Sequence, residues 1–440
     1  MADPMRESLD LKTILLFFLP LIFMTELIQI SHSVTNAFLA RLSAPKETLA
    51  AFSIAFAFNI MTGGITMAGT QTGISFITDR PSLDRVLRFL LGVVFIPFLI
   101  VELTAVTPLG DMVFGKWMGA SPEVVRQARW SSAIMGFWTF PILMRNLSYA
   151  MIMIRRKTIL ISYATFIRLA ALMGFLILYS IWFEGAVVGA MATVSAMSVE
   201  AVFMIIAARP YFLQLRQDVD SRASYGDFWT FSWPLMLTQA TENGVVFVLN
   251  FFLGQLTSPD LALASFGVVY GLVRLILAPM RNLVQTAQTL ARQREDLNIL
   301  LQFTIGLLLF YVGLIFLLFY TSLRGWILYE VMGLTEELSR YSTPSVKLTY
   351  LIAVFWGIAA FLRGALSAMR KTGAIAVTAV IRLLVVAGIG CISLVSSDFN
   401  GAVLGVLAIG CAFAAEAVVL GQRLWIHTRS PGSLLNSIPN

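Results

Sequence analysis

Long apolar runs separated by short polar turns follow one another from residue 10 to residue 426. About twenty consecutive apolar residues cross the hydrocarbon core of a bilayer as one helix, and longer runs tilt. The runs predict twelve such helices, at 10–40, 47–78, 86–107, 122–153, 158–182, 185–208, 227–256, 260–291, 298–322, 344–369, 373–395 and 401–426. The longest polar stretch, 209–226, separates six helices from six. Segment 323–343 mixes Trp326, Leu328 and Val331 with Glu330, Glu336 and Glu337, which predicts an interfacial helix. The expected fold is an all-α membrane protein of twelve transmembrane helices in two pseudo-symmetric six-helix bundles. The expected domains are an N-terminal lobe at 1–208, a cytoplasmic linker at 209–226 and a C-terminal lobe at 227–440.

The two halves also resemble each other in wording. A shift of 214 positions places Pro20, Asn36, Leu39, Leu42, Pro45 and Phe52 on Pro234, Asn250, Leu253, Leu256, Pro259 and Phe266. It also places Arg156-Lys157-Thr158 on Arg370-Lys371-Thr372 and Ile167-Arg168-Leu169 on Ile381-Arg382-Leu383. Phe137-Trp138 with Arg145 recurs as Phe355-Trp356 with Arg363 at an offset of 218, which implies a loop altered by about one turn. Two like halves in an apolar chain point to a transporter with its substrate site between them. Pro20 and Pro234 each remove a backbone hydrogen bond at matching positions and so mark bending points.

Composition narrows the class further. Of 440 residues, 58% are hydrophobic and 12% charged, too few polar groups to coat a soluble domain. Cys391 and Cys411 lie in apolar stretches and read as reduced packing residues. His32 and His427 cannot build a metal site alone. The net charge of +7 is spread over short loops, which argues against nucleic acid as a partner. No small-residue cleavage site follows the first apolar run, so a signal peptide is not expected. The basic residues gather at one set of helix ends, among them Arg6, Arg80, Arg85, Arg88, Arg155, Arg156, Lys157, Arg209, Arg216, Arg222, Arg370, Lys371 and Arg423. The positive-inside rule then puts both termini in the cytoplasm.

Ionisable groups deep in a bilayer are costly, and they either pair or mark function. Arg168 and Glu200 lie 16 residues either side of Glu184, so the hairpin they share places them at one depth. Arg382 and Glu416 flank Phe399 in the same way. Both pairs read as structural salt bridges. Glu242 and Arg274 flank Thr257 similarly, but Ile28 and Ile60 hold the matching positions in the first half. That pair fits structure and function equally. Arg145, Arg281, Arg363 and Glu26 have no acid or base in reach by this reasoning. Arg274 and Arg281 share a helical face continued by Gln285 and Gln288, with Asn282 beside it, and such a stripe should line water or an interface. The matching helix, Thr62–Gly73, is rich in Gly and Thr, suited either to close packing or to a smooth cavity wall.

Arginine stays ionised when desolvated and grips carboxylate or phosphate through paired hydrogen bonds. Arg145, Arg363, Arg281 and Arg274, with Asn282 and Gln285, are therefore the expected ligands of a small anion. Glu26 and Glu242 are the expected coupling groups for protons or sodium. There is no phosphate-binding loop, metal spacing or catalytic triad, so neither an enzyme nor a resident cofactor is expected.

Two six-helix sets with a linker and paired prolines resemble the superfamily of multidrug and toxin extrusion (MATE) transporters, polysaccharide flippases and lipid II flippases (the MOP flippase superfamily). Glu26 and Glu242 resemble acidic cation-site positions of some MATE transporters. Leu49-Ala50-Ala51-Phe52-Ser53-Ile54-Ala55, Phe231-Ser232-Trp233-Pro234-Leu235, Thr238-Gln239-Ala240-Thr241, Val380-Ile381-Arg382-Leu383-Leu384 and Asn400-Gly401-Ala402-Val403-Leu404-Gly405 resemble the progressive ankylosis family. That resemblance implies two six-helix lobes and outward release of anions such as pyrophosphate, citrate or nucleotides. The expectation is a secondary transporter exporting such an anion by rocker-switch alternating access. The alternatives are a lipid-pyrophosphate flippase, a MATE-type exporter of organic cations and a non-transporting scaffold. A monomer in the plasma membrane, with membrane lipids and a small anion as partners, is expected.

Overall fold

The computed structural model describes residues 9–117, 120–217, 223–395 and 398–429, and every regular element among them is a helix. The first half holds α1 (Leu11–Leu39), α2 (Pro45–Gly63), α3 (Ala68–Phe76), α4 (Arg80–Val106), α5 (Pro122–Gly136), α6 (Thr139–Ile154), α7 (Ile159–Tyr179) and α8 (Ala186–Leu213). The second holds α9 (Tyr225–Leu253), α10 (Pro259–Leu277), α11 (Asn282–Leu290), α12 (Arg294–Tyr320), the one-turn α13 (Leu323–Gly325), α14 (Glu336–Ala368), α15 (Gly373–Gly390), the short α16 (Ile392–Val395) and α17 (Gly401–Arg429). Helix is the form a chain must take in lipid, because it satisfies every backbone donor internally. Ten of these stretches are long and apolar enough to cross a bilayer, and the chain is a multi-pass membrane protein.

Subtracting 214 from the limits of α9, α10, α11, α12 and α14 gives the limits of α1, α2, α3, α4 and the α5–α6 pair. The 218 offset at Phe355-Trp356 therefore does not reflect an altered loop. The motif has moved one turn along a helix of unchanged length. Even the caps repeat. The Asp79 side chain accepts from Ser82 N at 2.7 Å while Ser82 Oγ accepts from Asp79 N at 3.0 Å. In the second half Gln293 and Asp296 build the same box, with Asp296 Oδ2 accepting from Gln293 N at 2.9 Å.

Two expected spans are broken. A 3-10 turn over Gly64–Met67 separates α2 from α3, and another over Ala278–Arg281 separates α10 from α11. Adjacent glycines, Gly63 and Gly64, loosen the first, whereas Pro279 removes a donor in the second. Asn146 Nδ2 donates to Thr66 O at 3.0 Å, taking up a carbonyl of the first break. Segment 323–343 is not one interfacial helix. Leu323–Gly325 and a wide turn over Trp326–Val331 precede a stop, and Glu336 and Glu337 form the acidic first turn of α14. The expected linker shrinks, since α8 runs to Leu213 and α9 starts at Tyr225. Arg6, Arg222 and the middle of that linker lie outside the described residues.

Residues 19–239 form one compact unit, and the described residues from 240 onward, with the start of α1 up to Phe18, form the other. The division falls inside α1 beside Pro20 and inside α9 a few residues beyond Pro234. Each unit has its own apolar core, one around Leu39, Phe52, Phe58 and Phe114, the other around Leu253, Phe266, Leu272 and Phe319. Leu15, Ile100, Phe310, Leu384 and Val418 are exposed, as lipid-facing residues are. Cys391 and Cys411 are free thiols and exposed, so they do not pack the interior as expected.

The same close approach fixes both cores. A Cβ on Gly189 would strike the Phe52 ring, and one on Gly405 would strike the Phe266 ring. We expect Gly405→Val to destabilise the protein by about 1–3 kcal/mol through overpacking, read as a lower melting midpoint in detergent. Gly174→Ala, at a helical site with open space around it, is the matched control and should not lower the midpoint.

Candidate functional site

In the unit of residues 19–239, α8 carries Glu200, which is fully buried. Both α6 and α7 pack on α8. Arg168 of α7 donates through Nη1 to Glu200 Oε2 at 3.3 Å, as the equal depths of the hairpin require. Arg145 of α6 donates to the same oxygen at 3.3 Å from the other side. Tyr149 donates to Glu200 Oε1 at 2.6 Å, and Thr165 does so at 3.3 Å. Arg168 Nη2 also reaches Ser31 Oγ on α1 at 3.3 Å. Arg145 lies over the Tyr149 ring, 5.3 Å from its centroid. The expectation that Arg145 has no acid in reach is therefore corrected. The depth argument paired helices adjacent in sequence, whereas α6 packs directly on α8, two helices further along the chain.

The unit of residues 240 onward builds the larger cluster. Arg363 of α14 donates through Nε and Nη2 to the two oxygens of Glu416 at 2.7 and 2.6 Å, a fork on a carboxylate. Its Nη1 donates to Glu242 Oε1 at 2.6 Å. Arg363 is thus not free either, for the same geometric reason: α14 lies against α17, which is distant in sequence. Arg382 of α15 donates to Glu242 Oε1 at 3.3 Å and lies 3.5 Å from Glu416 Oε2. It also reaches Thr241 Oγ1 at 3.0 Å. Thr378 donates to Glu416 Oε1 at 3.2 Å. Phe413 closes one side, with the Arg363 and Arg382 guanidiniums 5.9 and 5.7 Å from its ring centre and Trp356 stacked on it at 5.6 Å.

Glu242 does not take Arg274 as its partner. It meets Arg363, Arg382 and, through Oε2 at 3.4 Å, Arg281. Arg274 instead sits over Tyr270, 5.9 Å from the ring centre. The 3-10 turn explains the change. Four residues at three per turn rotate the helix face by about 80° relative to α geometry. The stripe from Arg274 through Gln285 is therefore not continuous, and these two stand about 100° apart around the helix axis. Arg281 stays half exposed, while Asn282 and Gln288 are buried on α11 at 3% and 5%. Glu26, half-buried on α1, takes part in neither cluster among the described residues.

Beside the second cluster lies a cavity of about 50 Å³. Glu242, Tyr270, Arg274, Arg281, Arg382, Trp356 and Phe413 line it together with Val245, Val273, Ile352, Ile409 and Ala412. A water needs at least about 10–15 Å³ of such space, so the cavity holds a few waters and no citrate-sized molecule. Arg145, Arg363, Asn282 and Gln285 are not part of its wall. Among the described residues no group of acidic, His and Cys side chains could hold a metal.

Sequence reasoning missed Tyr149, Thr165, Thr241, Thr378, Tyr270 and Phe413. Tyr149 was within reach of it. Shifted by 214 it falls on Arg363, and both side chains bind the α8 or α17 glutamate. The first repeat keeps a phenol there and carries its arginine one turn earlier.

The MatE family model matches residues 234–392, within the second half. No curated protein matches the chain in sequence. Among solved structures, the eukaryotic MATE transporter AtDTX14 is similar at a TM-score of 0.76 and 13% identity, covering 97% of each chain. A MATE in the straight conformation is similar at 0.76 and 16%, covering 96% of this chain and 98% of that one. A MOP superfamily transporter from Pyrococcus furiosus, whose binding pocket is described as having reverse polarity that suggests a different function, is similar at 0.68 and 16%, covering 97% of each. The fold of this chain is accordingly the twelve-helix fold of the MATE and MOP transporters.

Proposed function

We propose that the protein is a secondary active membrane transporter, not an enzyme, for a small carboxylate- or phosphate-bearing anion. One observation carries the anion reading. Arg274 and Arg281 are exposed in the wall of the C-terminal cavity, and among the described residues Glu242 is the one acid in that wall. Arginines so placed favour carboxylate and phosphate over cations. The twelve-helix fold and the MatE match support transport itself. The reverse-polarity pocket of the Pyrococcus furiosus protein supports taking pocket charge as a guide to function in this fold. Arg281 and Arg274 are the first anion ligands. Arg363, expected in that role, acts behind them through Glu242 and Glu416, whereas Arg145 is taken up by Glu200 in the unit of residues 19–239, and Asn282 and Gln285, on α11, stand outside the cavity wall. Glu26 and Glu242 are the acidic groups available for coupling to protons or sodium. Rocker-switch alternating access of a monomer, with both termini cytoplasmic in the plasma membrane, completes the proposal, supported by the basic residues of the loops.

A second reading, export of organic cations, draws on Glu242 beside Tyr270, Trp356 and Phe413. Liposomes separate the two. Uptake of labelled citrate or pyrophosphate, with and without a pH gradient, is expected, and uptake of a cationic dye is not. Arg281→Gln should cut anion uptake about tenfold or more, since a hydrogen bond to a charged group is worth roughly 1.5–3 kcal/mol. Dye uptake with no anion uptake would establish the second reading.

A further inference from the structure

We propose that the Glu242 carboxylate is a built-in occupant of the anion site, holding on Arg281 the place that a substrate carboxylate or phosphate takes, and that loading moves it off Arg281. This rests on the anion reading of the cavity. Its basis is a graded set of bonds. Glu242 Oε1 is held tightly by Arg363 at 2.6 Å and by Arg382 at 3.3 Å. Oε2 alone reaches Arg281, at 3.4 Å, the longest of the three. The two inner guanidiniums are 5% and 1% exposed, whereas Arg281 is 51% exposed. The outer bond is thus the weak one and the one a solute can approach.

Breaking that bond leaves the rest standing. Arg363 keeps its fork on Glu416, and Glu242 keeps Oε1 on Arg363. The cavity beside them holds about 50 Å³, too little for a polyatomic substrate while the carboxylate lies across it. Turning Oε2 away both enlarges the space and frees a guanidinium at the same time. A solute that offers Arg281 less charge than a carboxylate gains nothing by the exchange, so Glu242 also selects for multiply charged anions. The first half has no counterpart, because Ile28 stands at the matching position.

The test is equilibrium binding of labelled pyrophosphate to the purified full chain in detergent. Glu242→Gln should tighten binding about tenfold or more, from the removed competitor. Arg281→Gln should weaken it by a similar factor, and the double variant should show no gain over Arg281→Gln. Glu242→Asp, which withdraws the carboxylate by one methylene, should give a smaller gain and serves if Gln prevents folding. A gain that persists without Arg281 would mean a long-range field effect and overturn the proposal. No gain in either Glu242 variant, with Arg281→Gln still weakening binding, overturns it and leaves the anion reading standing. No pyrophosphate binding in the wild type or any variant overturns both.

Discussion

Replacing Glu200 by Ala should be the most damaging single substitution in the first half. It leaves Arg145 and Arg168, only 5% and 4% exposed, facing each other with no carboxylate between them. Breaking a buried pair costs about 3–5 kcal/mol because an uncompensated charge stays behind. Here two charges stay behind, and Tyr149 and Thr165 lose their acceptor as well. The melting midpoint in detergent should fall by roughly 6–20 °C. The partner substitution should behave differently. Arg145→Met removes the surplus guanidinium and leaves Arg168 and Glu200 matched one to one. It should change stability by less than about 1.5 kcal/mol, as apolar replacement of buried charge often does. A Glu200→Ala protein that melts like the wild type would show that the cluster does not hold this unit together.

Arg363→Ala should have the largest effect in the second half, again about 3–5 kcal/mol. Arg363 makes the three shortest bonds of its cluster, at 2.6, 2.6 and 2.7 Å, and spans two carboxylates on different helices. Without it Glu242 and Glu416 share Arg382, which meets them at 3.3 and 3.5 Å. Arg363→Lys should recover less than half of the loss, because one ammonium cannot fork onto Glu416 and reach Glu242 together. Full rescue by lysine would show that only charge matters at this position. The comparison is a melting series of the three proteins in one detergent.

Much of this architecture is visible in the chain, for identifiable reasons. Helix number follows from apolar length, since lipid leaves no alternative to helices of that span. The repeat follows from Pro20, Phe52 and Arg168 falling on Pro234, Phe266 and Arg382. Equal depth about Glu184 and Phe399 is enough to bring Arg168 near Glu200 and Arg382 near Glu416. The partners of Arg145 and Arg363 are not visible in that way, because depth along one hairpin says nothing about a third helix. The breaks before α3 and α11 are hidden as well. Two glycines produce one and a proline the other, so no shared wording marks them. With the second break unseen, Arg274 and Gln285 fall on one face in the sequence, whereas the turn sets them about 100° apart in the protein.

The count of charges around Glu242 reaches further than stability. Among the described residues, Arg274, Arg281, Arg363 and Arg382 face Glu242 and Glu416, four guanidiniums against two carboxylates. A charge carried through the full transmembrane potential is worth about 2.3 kcal/mol per 100 mV. On the proposed alternating access, a dianion seated there would cancel the excess, and the loaded protein would reorient almost indifferent to voltage. The empty protein would not, and its return stroke would be the one on which the membrane potential does electrical work.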